Sequence, residues 1–337
     1  MRGLSMAQLS GKMQGQVSRQ AICKYESGKM LPESGVLLSL ARALGVKPDY
    51  FFRPFRVSLS GIAFRKNTSM SAKACKAVQQ KVQDSVERYF EIEEICGLSH
   101  NSVRLSKVPT ISTPEGVVLF AARIRQAWGL GFDGITDVIS LLESRGVKVL
   151  EIQSEDAFDG QSGTVDGSFI IILNSSRLMP ERKRFVALHE LGHLMMHFDE
   201  GVSAKDKEAL CDLFASEFLI PLDSFRNHLG AIGTGPVNLR TFAEIQRTYG
   251  ISIDALMRKA HDAKMISDFR YKNYFARKQE NLSYREYVEV VRTADESPHR
   301  FESLVLDAYA RDMISVSKAA SLLNCSVDKV IASAVVV

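Results

Sequence analysis

The chain has 337 residues, of which 45% are hydrophobic and 24% are charged, and its formal net charge is +4. This is the composition of an ordinary soluble globular protein, and the length allows two or three domains. No run approaches about 18 uninterrupted apolar residues and no basic start precedes an apolar run, so we expect neither a membrane span nor a secretory signal. The cysteines lack paired spacing and predict free thiols in a reducing cytoplasm; they are Cys23, Cys75, Cys96, Cys211 and Cys325.

Residues 1–56 form a basic module with nine basic and three acidic residues, a net charge of +6. Ser18 is a good N-cap and Gly28 a good stop for a helix between them. Helical patterns cover 6–13, 18–27 and 34–44. Short helices joined by a tight turn are typical of a helix-turn-helix. At the start of its second helix, the side chains expected to reach bases and phosphates are Ser18, Arg19, Gln20 and Lys24.

The stretch from Val17 to Lys29, followed by Pro32, resembles the XRE family of phage-repressor-like DNA-binding domains, as does the stretch from Leu40 to Phe52. The resemblance implies operator DNA as a partner; the alternative is a small protein-binding module with a solvated basic face. That family's first helix normally precedes a Leu-Ser pair like Leu4-Ser5, so we expect this helix to be clipped and DNA binding to be weak. The apolar surface expected to be left uncovered lies around Leu9, Ile22 and Leu40.

Residues 57–109 have the pattern of a helical connector. Apolar residues recur at helical spacing within 72–95, which predicts a long amphipathic helix. A dimer-forming helix and simple packing within the chain are both consistent with this pattern. The clearest domain boundary is Pro109 to Pro114.

The next unit, residues 110–263, mixes helical and strand patterns. Helices are predicted over 116–128, 137–145, 237–249 and 253–260. Residues 147–152 are apolar and β-branched and predict a strand, while 163–174 predict a second strand or a hairpin that turns at Asp166-Gly167. Residues 169–173 are the candidate edge strand for holding an extended peptide, or else a central buried strand.

A helix-length stretch, residues 181–197, contains the pattern His189-Glu190-Leu191-Gly192-His193. Residues four apart share one helix face, so the two histidines can present ring nitrogens to one metal ion. Glu190 can then act as general base on a water molecule. Two neutral nitrogens plus a carboxylate suit zinc and leave a fourth position open.

A third metal ligand is expected from the following helix, which the pattern places at 204–221. Glu208 and Asp212 lie four residues apart on one face, so Glu208 can complete the ligand set while Asp212 holds a histidine tautomer. The alternative is a solvated acidic face. Rival third ligands are Asp199, Glu200 and Asp206. His197 lies about 12 Å along the helix axis from His189, too far to share one ion, and is interpreted as a helix-end residue.

The His189 to His193 motif, the stretch Glu208 to Ala215 and the ending Leu219-Ile220-Pro221 together resemble the ImmA/IrrE family of metallo-endopeptidases. The resemblance runs from about residue 110 to 263. It implies a minimal gluzincin-like fold, Zn²⁺ as cofactor and a regulatory protein as substrate, often a repressor or antitoxin. The sequence departs from the family at Cys211 and Asp212, where Ala and Asn are usual; Asp at that place resembles the Asp that supports a histidine ligand in thermolysin-like enzymes.

Residues 264–337 are helical in pattern, and residues 317–327 have helix-turn-helix spacing. A match of this kind alone is weak. A small helical hairpin without a nucleic-acid role is the preferred interpretation.

The predicted fold class is therefore α+β, with an N-terminal all-α helix-turn-helix domain, a gluzincin-like zinc peptidase domain and a helical C-terminal region. The predicted function is that of a cytoplasmic DNA-binding regulator with a zinc-dependent endopeptidase domain that cleaves a repressor or antitoxin. The alternative is a transcriptional regulator whose zinc domain senses a signal or is structural, without proteolysis.

Overall fold

The structure is a computed structural model, and it describes residues 4–46, 48–52, 72–98, 108–154, 158–230 and 238–334. Helices and small sheets make up these residues, which confirms the predicted α+β class. The described parts of 1–59, 66–99 and 301–337 form a first compact unit, and those of 100–300 form a second. This division cuts across the expected ranges 57–109 and 264–337. No helix in the described ranges is both long and apolar enough to span a bilayer.

The N-terminal module contains three α-helices, as its sequence pattern predicts. They are α1 (Met6–Lys12), α2 (Arg19–Glu26) and α3 (Ser34–Leu44), followed by a short 3₁₀ helix (Pro48–Phe52). Ser5 and Gln8 form a reciprocal capping box on α1, and the Ser18 hydroxyl accepts from the Ala21 N–H at the start of α2. Four of the basic residues counted in this module lie outside the described residues; they are Arg2, Lys47, Arg53 and Arg56.

The expectation of uncovered apolar surface in this module is wrong. Leu9 is 7%, Ile22 2% and Leu40 6% exposed. The physical reason is that the three helices close on one another around these side chains, with partly buried residues such as Leu4 and Phe51 packed at the margin. The apolar core of the module is therefore closed, and an open core gives no reason to expect weak DNA binding.

The other described parts of the first unit are also helical. Its helices are α4 (Ala72–Ile95), α14 (Arg300–Ala310), α15 (Val316–Leu322) and α16 (Val327–Ser333). Ile92 of the long helix packs with Val305, Ala319 and Val330 of the C-terminal helices. Between α15 and α16 the chain turns through Asn324, whose φ of 51° lies in the left-handed region. The predicted long helix is thus present; the first part of the expected connector, 57–71, lies outside the described residues.

The second unit contains a three-stranded sheet in the order β2-β4-β3. Its strands are β2 (Lys148–Ile152), β3 (Gly160–Val165) and β4 (Ser168–Asn174). Strand β2 runs parallel to β4, whereas β3 is antiparallel to it. The hairpin between β3 and β4 turns at Asp166 and Gly167, both with positive φ, as the sequence predicts. A separate pair of two-residue strands, β1 (Thr110–Ile111) and β5 (His197–Phe198), is parallel.

The structure decides between the two interpretations of residues 169–173. They lie in β4, which is the central strand and is buried along its whole length, so the edge-strand interpretation is wrong. A run of five consecutive large apolar residues needs cover on both faces, which a central strand provides. Strand β3 lies at the edge instead.

The helices of the second unit surround this sheet and share one apolar core with it. They are α5 (Pro114–Ala127), α6 (Val138–Ser144), α7 (Pro180–Met195), α8 (Ala204–Leu219), α9 (Leu222–Leu229), α10 (Leu239–Tyr249), α11 (Ile253–Asp262), α12 (Asp268–Glu280) and α13 (Leu282–Glu289). Helix α7 packs against α6, α8, β3 and β4, which makes it the central helix of the unit. Residue 237, where one predicted helix begins, lies outside the described residues.

Candidate metal centre

The candidate site is built on α7, which begins with Pro180 at its first turn, where a missing N–H is tolerated. Several apolar residues of this helix, among them Ala187, Leu188 and Leu191, are fully buried. The helix ends at Met195, and His197 lies exposed in β5. The interpretation of His197 as a helix-end residue is therefore wrong, because the chain has already turned into extended backbone at Met196.

Buried ion pairs explain the basic start of α7, which the helix dipole disfavours. Arg184 is 2% exposed and pairs with Glu296, which also accepts from the backbone N–H groups of Val138 and Ile139. Lys183 contacts carboxylates of Glu151 and Asp295 at 2.8 Å. Burial lowers the pKa of Lys183, but its hydrogen bonds with these carboxylates outweigh that effect and leave the pKa above its usual value. These contacts fix the position of the helix that carries the motif.

Three side chains converge on one point between α7 and α8. Nε2 of His189 lies 3.1 Å from Nε2 of His193 and 3.2 Å from Oε2 of Glu208, and His193 Nε2 lies 3.5 Å from the same oxygen. Ligand atoms about 2.0–2.1 Å from a tetrahedral zinc ion lie roughly 3.3 Å apart. The three separations agree with that geometry. Within the described residues this is the group of histidines, cysteines and carboxylates that could hold a metal.

The hydrogen bonds of His189 show why this point suits a cation. Its Nδ1 lies 2.9 Å from Oδ1 of Asp212. An ionised carboxylate can only accept, so Nδ1 carries the proton and Nε2 presents a lone pair. That lone pair faces the Glu208 carboxylate and the ring nitrogen of His193. Acceptors that face one another at this distance are stabilised by a cation between them, so the donor set fits a divalent metal such as zinc.

The second histidine has a partner that the sequence did not suggest. Nδ1 of His193 lies 3.3 Å from Sγ of Cys211, which is fully buried. When Nε2 binds a metal, Nδ1 carries the ring proton and can donate it to the sulfur. Gly192 lets α8 approach, since a Cβ there would lie 3.1 Å from Phe214 Cδ1 and 3.4 Å from Cys211 Sγ. The close neighbours at this glycine are therefore side chains of α8 and of Met196.

Glu190 directly follows the ligand candidate His189 on α7 and is 9% exposed. Its Oε2 accepts a 2.6 Å hydrogen bond from the hydroxyl of Ser162 on β3. The strand passes so close that a Cβ at Gly160 would lie 2.5 Å from Val186 Cγ1 and 3.2 Å from Glu190 Oε1. Ser162 was missed in the sequence, where an isolated serine in a strand carries no signal.

The rival third ligands lie elsewhere. Asp199 and Glu200 are exposed in the turn after β5, and Asp199 accepts from the Gly201 N–H. Asp206 accepts from the Ser203 hydroxyl at the start of α8. Of the carboxylates considered, the structure brings Glu208 to the histidine pair.

The residues expected to contact DNA lie at the beginning of α2. Ser18, Arg19, Gln20 and Lys24 are all exposed, while Ile22 on the opposite side is buried. Ser18 also caps the helix. The guanidinium of Arg19, the ammonium of Lys24 and the amide of Gln20 therefore lie on the exposed surface of the module.

Two family models match the chain. Residues 142–261 match peptidase family M78, described as the IrrE N-terminal-like domain, and residues 1–51 match a helix-turn-helix family. No curated protein matches the chain. The matches confirm the resemblance to ImmA/IrrE proteins with an XRE-type helix-turn-helix. They indicate a metallopeptidase-type domain that spans α7 and α8, and a DNA-binding domain at the N-terminus.

Proposed function

We propose that this chain is a DNA-binding regulator whose second unit is a zinc-dependent endopeptidase that cleaves a repressor or antitoxin protein. The observation that carries the proposal is the convergence of His189, His193 and Glu208 next to the carboxylate of Glu190. A purely structural zinc site closes its fourth position with a further protein ligand. Among the described residues three ligand atoms converge here, which is the donor number of a catalytic site.

In this proposal His189, His193 and Glu208 hold the metal, and Asp212 and Cys211 orient the two rings. Zinc, when bound there, supplies Lewis acidity that makes a water more acidic and polarises a carbonyl. Glu190 accepts the proton of the attacking water and returns it to the nitrogen of the leaving amine. Its burial against β3 keeps the carboxylate in one place for both transfers.

The substrate is proposed to lie along β3. The Asn174 N–H donates to the Asp159 carbonyl, so in this antiparallel pair residues 161, 163 and 165 bond to β4. The backbone groups of Gly160, Ser162 and Thr164 consequently point away from β4. In the described part of the chain β3 pairs with β4 alone. An extended peptide can add to this edge directly beside Glu190.

The class of substrate is proposed from the resemblance, which implies regulatory proteins such as repressors and antitoxins. The helix-turn-helix match at 1–51 supports this assignment, because it gives the peptidase a route to the DNA sites where such regulators act. Arg19, Gln20 and Lys24 are the proposed base and phosphate contacts, with Ser18 at the helix start.

The experiment compares the wild-type chain with Glu190→Gln. Each is loaded with zinc, its metal content is measured, and it is incubated with purified candidate repressors and antitoxins whose fragments are identified by mass spectrometry. We expect the wild type to cleave one of them at a defined bond, a chelator to stop the reaction, and Glu190→Gln to keep zinc but lose cleavage. Loss of zinc from Glu190→Gln would refute its assignment as base. A zinc-loaded wild type that binds operator DNA and cleaves none of these proteins would favour a regulator with a sensing or structural zinc domain.

A further inference from the structure

Ser162 connects the edge strand to the general base. Its side chain donates to Oε2 of Glu190 at 2.6 Å, a short distance typical of a hydroxyl bonded to a charged acceptor. Its backbone N–H and C=O point away from β4. Hydrogen bonding to β4 alternates along β3, starting from the bond between the Asn174 N–H and the Asp159 carbonyl, and Ser162 is one of the residues that are not bonded to β4. One residue thus faces the carboxylate with its side chain and the open edge with its backbone.

A carboxylate needs such a contact in order to keep one orientation. The terminal torsion of glutamate is broad and roughly two-fold, so packing alone fixes the plane of the carboxylate poorly. The Ser162 hydrogen bond holds Oε2 and thereby fixes the plane of the carboxylate, including the position of Oε1. Gly160 stands beside Oε1, where any Cβ would lie 3.2 Å from that oxygen and 2.5 Å from Val186. Strand β3 therefore holds one oxygen through Ser162 and passes close to the other at Gly160.

We propose that Ser162 is a positioning residue for Glu190, and that it sets the register between a peptide bound along β3 and the oxygen that takes the proton. This inference rests on the proposed peptidase function. Ser162 acts through Glu190 and is not a member of the ligand set His189, His193 and Glu208, so its removal alters proton transfer rather than metal binding.

The kinetic test uses Ser162→Ala, Ser162→Thr and a matched control, Ser144→Ala, which removes an exposed hydroxyl bonded to the Leu141 carbonyl at the end of α6. Cleavage of the repressor or antitoxin that the wild type cuts is measured as kcat and KM separately, together with zinc content. Misplacing a reacting group by about 1 Å costs on the order of 100-fold in rate. We expect Ser162→Ala to lower kcat by about 10–100-fold with KM and zinc content unchanged. Ser162→Thr, which keeps a hydroxyl, recovers most of the loss, and Ser144→Ala matches the wild type.

A second measurement needs neither metal nor substrate. Melting temperatures of the metal-free chain are compared for Ser162→Ala, Glu190→Ala and the double variant. If the hydroxyl holds the carboxylate, the double variant loses less than the sum of the two single losses. This coupling can be observed even if the chain cleaves none of the proteins tried, so failure of the positioning role and failure of the peptidase proposal are distinguishable.

Three results would overturn the inference: wild-type kcat in Ser162→Ala, a loss of zinc that accompanies the loss of rate, or additive melting losses. A lowered kcat that Ser162→Thr does not recover would also count against it, because the role assigned to residue 162 is the donation of a hydroxyl hydrogen bond.

Discussion

Replacing Asp212 by Ala tests whether this carboxylate orients a metal ligand. Asp212 accepts from Nδ1 of His189 at 2.9 Å, and removing such a partner of a metal-binding histidine typically weakens metal binding by about 10–100-fold. That range corresponds to about 1.4–2.7 kcal/mol of zinc-linked stabilisation. The Asp212 side chain is 46% exposed, so water competes for the ring N–H and we expect the lower end of the range.

The assay measures the rise in Tm that excess zinc produces in the wild type, in Asp212→Ala and in Asp212→Asn. For a unit the size of residues 100–300, 1 kcal/mol shifts Tm by about 2–4 °C. The zinc-induced rise in Asp212→Ala should therefore be smaller by ~3–6 °C at the lower end of the expected affinity loss. Asn still offers an oxygen to Nδ1–H, so Asp212→Asn should retain most of the rise. Glu200→Ala, at an exposed site, is the control. A zinc-induced rise in Asp212→Ala equal to that of the wild type would refute the argument.

Three further predictions concern other residues. Glu208→Ala should reduce zinc content far more than Glu200→Ala, since the Glu208 carboxylate lies 3.2 Å from His189 Nε2; equal losses in a metal analysis would move the third ligand. If α2 contacts operator DNA, Arg19→Ala should weaken binding in a gel-shift titration and flatten its salt dependence by a slope of about 1, with zinc content unchanged; an unaltered slope would argue against a phosphate contact. The ring of His261 donates a hydrogen bond to Asp268, and this contact raises the pKa of His261. The charged pair therefore stabilises the fold below the usual histidine pKa, and this stabilisation is lost as pH rises through the raised value. Chemical denaturation should accordingly show His261→Gln less stable than the wild type at pH 5 and equal to it at pH 8; the same deficit at both values would assign the effect to packing.

The sequence by itself determined the local parts of this protein. Helical periodicity predicted α7 and α8, and spacing by four residues placed His189 with His193 and Glu208 with Asp212 on single helix faces. A capping residue such as Ser18 and a turn pair such as Asp166-Gly167 determine the backbone conformation only of residues close to them in sequence. The ends of α2 and the β3–β4 hairpin could therefore be predicted.

Only the tertiary structure decided which segments meet. The strand order put β4 in the centre and β3 at the edge, although β3 contains two glycines, which are depleted in strands. Packing of α8 on α7 brought Cys211 to His193, and packing of β3 on α7 brought Ser162 to Glu190, 28 positions apart in sequence. Hydrophobic periodicity indicates which face of a helix or strand is buried, but not which other helix or strand packs against that face. Contacts between elements far apart in sequence are therefore decided by the packing of the core.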